Sequence, residues 1–120
     1  MKAPARTAFR AEATVSCPDA PPIHLGDWMS YSPGGALGWL RKRAEQVAHQ
    51  LGAPYDQGVR AWLEEAIEFR WAVDGLAAGV PFVLRAVDGQ GCTYAFVARP
   101  DADARTATAP ARVPRGQGAA

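Results

Sequence analysis

The chain is short of cysteine, of lysine, of net charge and of long apolar runs, and each shortage excludes something. Cys17 and Cys92 are the only two thiols. Two are too few for a disulfide framework, and they form no CxxC pair, so a reducing cytoplasm is the expected setting. Thirteen basic residues face 12 acidic ones, leaving a net charge of +1. No global field therefore draws the protein to nucleic acid or to an anionic membrane. No stretch approaches the roughly 18 apolar residues of a membrane span. The residues from Met1 to Ala13 are interrupted by Pro4, Arg6, Arg10 and Glu12, which leaves no apolar core for a signal peptide. A phosphate-binding loop is missing as well. Ser32-Pro33-Gly34-Gly35 opens a helix but lacks the Gly-Lys-Ser/Thr ending, and Pro33 removes one donor, so this segment reads as a helix cap.

What is present suits one small domain: 120 residues, 48% of them hydrophobic. Alanine occurs 25 times, and the cations are 11 Arg against 2 Lys, a bias associated with GC-rich bacterial genomes. From Thr7 to Ser16 apolar residues alternate with polar ones, Phe9, Ala11, Ala13 and Val15 on one side and Arg10, Glu12, Thr14 and Ser16 on the other, the pattern of a half-buried strand. Pro18, Pro21 and Pro22 break it. Ile23-His24-Leu25 then reads as a short edge strand, followed by an aromatic loop with Trp28, Met29 and Tyr31 that folds back over the core.

Ser32 and Pro33 start a first helix whose stripe is Leu37, Leu40, Ala44, Val47 and Leu51, and Gly52 and Pro54 end it. A second helix is expected from Asp56, its cap, to about Ala78. Its main stripe is Val59, Trp62, Ala66, Phe69, Val73 and Leu76, with a second stripe of Leu63, Ile67 and Trp71, so the spacing predicts a helix covered on two faces. Two strands, Val80 to Val87 and Cys92 to Arg99, flank Asp88-Gly89-Gln90-Gly91. If Asp88 pairs with Cys92, then Phe82, Leu84, Tyr94 and Phe96 share one face; a one-residue slip splits them. Gly91 then takes the left-handed position of the turn.

These elements predict an α+β fold: a small antiparallel sheet, made of the N-terminal strand and the C-terminal hairpin, packed against an antiparallel pair of helices in the order β-(β)-α-α-β-β. Residues 1–100 form the expected domain. Residues 101–120 read as a disordered tail, because Val113 is the only larger aliphatic side chain after Pro100.

No residue set predicts catalysis, a cofactor or a metal. Cys17, His24, His49 and Cys92 match no structural zinc spacing, and a Cys17–His24–Asp27 nucleophile would lie in the most proline-interrupted stretch. Glu64, Glu65 and Glu68 read as a solvated helix face, and Cys92 as a buried small hydrophobe. The unusual residues are aromatic. Trp39 and Trp71 stand off the apolar stripes of their helices, and with Arg43 they are the expected contacts of a protein partner or of self-association, unless the aromatic loop covers one and the sheet the other. The run Arg41-Lys42-Arg43 leaves the first helix at +2, against −3 on the second, which suits complementary neighbours. With Lys2, Arg6 and Arg10 it supports an alternative, a nucleic-acid-binding regulator contacting phosphates through Arg10, Arg41, Lys42 and Arg43. A third alternative is a small-molecule or catalytic pocket under the aromatic loop. The reading carried forward is a cytoplasmic, non-enzymatic interaction or regulatory module without a membrane segment.

Overall fold

The computed structural model describes residues 7–101, and the N-terminal cations Lys2 and Arg6 and the tail beyond 101 lie outside them. Seven elements follow one another: β1 (Ala8–Ser16), β2 (Ile23–Ser30), α1 (Pro33–Leu51), α2 (Gln57–Glu64), α3 (Ala66–Ala77), β3 (Phe82–Val87) and β4 (Thr93–Asp101). The strands form one antiparallel sheet in the order β2-β1-β4-β3, with the helices packed on it, so the α+β architecture is as expected. Asp101 belongs to β4, where it pairs with Ala8 and its carboxylate accepts from Arg10 Nε at 3.1 Å. The strand therefore runs two residues past its expected end at Arg99.

Cross-strand partners share a face of a pleated sheet. Phe9, Ala11, Ala13 and Val15 of β1 stand opposite Pro100, Ala98, Phe96 and Tyr94 of β4, and Ala98, Phe96 and Tyr94 in turn face Phe82, Leu84 and Ala86 of β3. The hairpin thus has the register that unites its large apolar residues. Asp88 N–H donates to the Cys92 carbonyl at 3.0 Å, and Gly91 has φ 83°, the left-handed conformation that a side chain would strain. This face meets Leu37, Leu40, Ala44 and Val47 of α1, and Phe96, Leu37, Leu40, Leu76 and Val59 are among the most deeply buried side chains. The opposite face carries an ion-pair lattice. Arg10 bonds Asp27 and Asp101, and Arg99 bonds Glu12. Such solvent-facing pairs contribute little stability, with a median of about 0–1 kcal/mol each.

Four local expectations are corrected. The short edge strand and the aromatic loop as far as Ser30 are one strand of eight residues, β2, with Tyr31 just beyond it. A bulge causes the misreading: Ala13 pairs with Gly26 and Thr14 with His24, so Leu25 is an extra residue that reverses the alternation midway. The second helix is two helices. Glu65 is extended, at φ −99° and ψ 95°, and Arg41 Nη2 donates to the freed Leu63 carbonyl at 2.6 Å while its guanidinium lies 5.3 Å from the centre of the Phe69 ring. Asp56 precedes α2 as expected but makes no side-chain cap; its carboxylate accepts from Arg60 Nε at 2.6 Å. Finally, Cys17 and Cys92 are joined in a disulfide, one step past the pair Ser16–Thr93 in the β1–β4 register.

Candidate interaction surface

The break at Glu65 determines what α3 shows to solvent. At about 100° per residue, Phe69, Val73 and Leu76 point to one side of the helix and Ile67 and Trp71 to the other. The first three pack on the core. Of the second stripe of the expected two-faced helix, Leu63 packs against the core, whereas Ile67 is 53% exposed and Trp71 64%, so the sheet does not bury Trp71. Ala66, placed on the inner stripe by periodicity, is exposed as well.

The ridge extends past the helix. Val80 N–H donates to the Gly75 carbonyl at 2.8 Å and Gly79 N–H to the Leu76 carbonyl at 2.9 Å, which is the Schellman arrangement. It brings Val80 back over Gly75, one turn beyond Trp71: a Cβ on Gly75 would stand 3.8 Å from that of Val80. Val80 is 58% exposed. Ile67, Trp71 and Val80 therefore form an apolar line along α3 and its exit. Glu68 flanks it on one side, Asp74 and Arg70 on the other, and Glu64 and Glu65 lie at its start, all of them exposed. None of these four glutamate and aspartate neighbours of Ile67 and Trp71 on the flanks and start is in a salt bridge among the described residues. The readings of Glu64, Glu65 and Glu68 as a solvated face and of Trp71 as an accessible aromatic thus belong to one surface.

Trp39 behaves differently. It is half-buried and packed against the core, with β2 over it. The cover comes from Gly26 more than from the aromatic side chains: at φ 139° its backbone approaches so closely that a Cβ would stand 3.2 Å from the Trp39 ring and 3.3 Å from Arg43 Nη2. Arg43 lies over the same ring, 5.2 Å from its centre, and donates from Nη1 to Gln46 Oε1 at 3.0 Å. Trp28, 52% exposed, shares a shallow groove with Gly35, Gly38, Trp39 and Lys42. The expected partner contacts are therefore divided: Trp39 and Arg43 stack on each other between α1 and β2, and Trp71 stands on a separate helix.

The phosphate-contact set is not brought together. Arg10 points to the open face of the sheet, where Asp27 and Asp101 hold it, and Arg41 is bound to the end of α2. Lys42 is exposed, on the helical side, and Arg43 is on Trp39. The disulfide removes the free thiol that a Cys17 nucleophile or a zinc site including Cys17 and Cys92 would require, and it corrects the reading of Cys92 as an unbonded core residue. Among the described residues no group of three or more His, Cys, Asp or Glu side chains is placed to hold a metal ion. Ser32 caps α1 as expected, accepting from Gly35 N–H at 3.1 Å. Among the described residues no helix is long and apolar enough to cross a membrane.

Val80 and Trp28 are the surface residues that sequence reasoning missed. Strand composition places Val80 in the following strand, and the signal that puts it on the ridge is the Gly79 exit from α3; the bulge in β2 makes Trp28 look like a loop cover. No protein-family model, curated protein or solved structure matches this chain.

Proposed function

We propose that this protein is a non-enzymatic interaction module that docks a partner protein on the α3 ridge. The observation that carries the reading is the exposure of Trp71, 64%, in line with Ile67 and Val80. Tryptophan is enriched among the few residues that dominate binding energy, and contiguous exposed apolar patches mark interaction sites. The charge around the ridge selects the occupant. Glu64, Glu65, Glu68 and Asp74 against Arg70 suit a partner with an apolar socket rimmed by Lys or Arg. A two-fold contact between copies would set these acids against one another, which disfavours self-association through this surface. The divided placement of Arg10, Arg41, Lys42 and Arg43 offers the nucleic-acid alternative no continuous cationic face.

A photo-crosslinking residue in place of Trp71 in the full chain tests the reading. The expected result is a crosslink to one heterologous protein, competed by the unmodified chain at least ~30-fold better than by Trp71→Ala, the ratio for a hot spot of about 2 kcal/mol, and weakening as salt rises. A crosslink only to a second copy, or competition by Trp71→Ala as effective as by the unmodified chain, would overturn it. The compartment reading also changes its footing. The cytoplasmic expectation follows from too few cysteines for a disulfide framework and no CxxC pair, whereas a Cys17–Cys92 bond is the state that an oxidising compartment maintains.

A further inference from the structure

A second, independent feature lies between α1 and β2, on the other side of the Trp39–Arg43 stack from the Trp28 groove. The bulge in β2 turns Leu25 toward the core side, where with Val15 of β1, Val47 of α1 and Tyr94 of β4 it lines a half-open cleft of about 230 Å³, rimmed by Arg43 and Gln46. We propose that this cleft binds a small carboxylic acid with an apolar body, the carboxylate on Arg43 and the body on Leu25, Val15, Val47 and Tyr94.

The argument rests on the state of Arg43. Arg10, Arg60 and Arg99 each sit on a carboxylate; Arg43, like Arg41, Arg70 and Arg85, is in no ion pair among the described residues, and of these four it is the one that lines the cleft. It is nevertheless held in place from three directions: the Trp39 ring beneath it, Gln46 Oε1 on Nη1, and the Gly26 backbone beside Nη2. Stacking and one hydrogen bond leave most of its five N–H donors unassigned and their plane fixed, so little side-chain entropy remains to be lost when a carboxylate forms a paired contact. Gln46 uses its carbonyl on Arg43, which leaves its amide N–H groups as further donors at the rim.

The floor sets the rest of the ligand. A lone phosphate would leave the four apolar walls unused, and a neutral hydrocarbon would leave Arg43 without a counter-ion. The cleft is smaller than the ~300–1,000 Å³ of pockets for drug-sized molecules, so the fitting ligand is a short acid rather than a folded surface or a long peptide.

Octanoate and 4-phenylbutyrate serve as probes, with octanamide, inorganic phosphate and a peptide ending in a free carboxyl leucine as comparators, titrated calorimetrically into the full chain. The expected result is saturable binding of both acids, at least tenfold tighter than octanamide and than phosphate, and a loss of at least tenfold for Arg43→Gln. Because that substitution also disturbs the Trp39 stack, the acid-to-amide ratio on the unaltered protein stands as a readout that does not depend on the variant's folding. Absence of acid binding, equal binding of octanamide, or tighter binding of phosphate or of the peptide would each overturn the proposal.

Discussion

Trp39 and Trp71 both stand away from the apolar stripe of their helices, and the structure treats them in opposite ways. On α1 the outer aromatic is roofed by β2, because Gly26 lets a strand backbone come against the ring. On α3 nothing among the described residues reaches the equivalent side, and Trp71, Ile67 and Val80 stay in solvent. The difference is topological. α1 follows β2 in the chain and lies over β1, with β2 on one side of it and β4 on the other, so an edge strand is at hand to close over it. α3 packs toward β3 and β4, away from β2, and among the described residues its outer side meets no further element. An off-stripe tryptophan is therefore not by itself a sign of core or of interface; the neighbouring strand decides.

The contrast can be broken by substitution, and the largest effect belongs to Trp39→Ala. A fully buried tryptophan truncated to alanine costs about 3–5 kcal/mol; for a half-buried ring we expect about 2–3 kcal/mol in urea unfolding. A loss below about 0.5 kcal/mol, the scale of an ordinary surface substitution, would mean that β2 does not close over α1. Gly26→Ala tests the roof from the other side. The new methyl both strains a positive φ and presses on the indole, for an expected loss of about 1–2 kcal/mol. An unchanged midpoint would mean that the strand backbone stands off the ring.

How much of this was legible in the sequence differs by region, for a physical reason in each case. The β3–β4 register could be read because a slip would divide Phe82, Leu84, Tyr94 and Phe96 between two faces. Helix α1 could be read because its stripe, its Ser32 cap and its Gly52 exit agree. The bulge at Leu25 was hidden, since one extra residue inverts the alternation and makes a strand look like a loop. The division of α2 from α3 was hidden for a different reason: local periodicity continues through Glu65, and the group that satisfies the interrupted ladder is Arg41, 22 residues earlier. The disulfide depends on β1 lying beside β4, a pairing across 75 residues that cysteine spacing alone does not reveal. At the candidate site, the sequence marked Trp71 as unusual, while its exposure, and the company of Val80, came only with the fold.

Arg41 offers a smaller test. Arg41→Met keeps the length of the side chain but removes the donor to the Leu63 carbonyl and the cation over Phe69; the expected loss is about 1 kcal/mol, the scale of one such contact in partial solvent. Amide exchange should accelerate around the α2–α3 junction and not in the β3–β4 hairpin. Uniform acceleration through both would mean that the junction is not a local weak point.

The smallest expected effect is the most direct test of the account, because an interaction surface must be dispensable for folding. The free energy of unfolding of Trp71→Ala in urea, measured beside the unaltered chain, should change by no more than about 0.5 kcal/mol, as for a surface substitution away from packing. A loss of 2 kcal/mol or more would place Trp71 in the core and contradict the open ridge on α3.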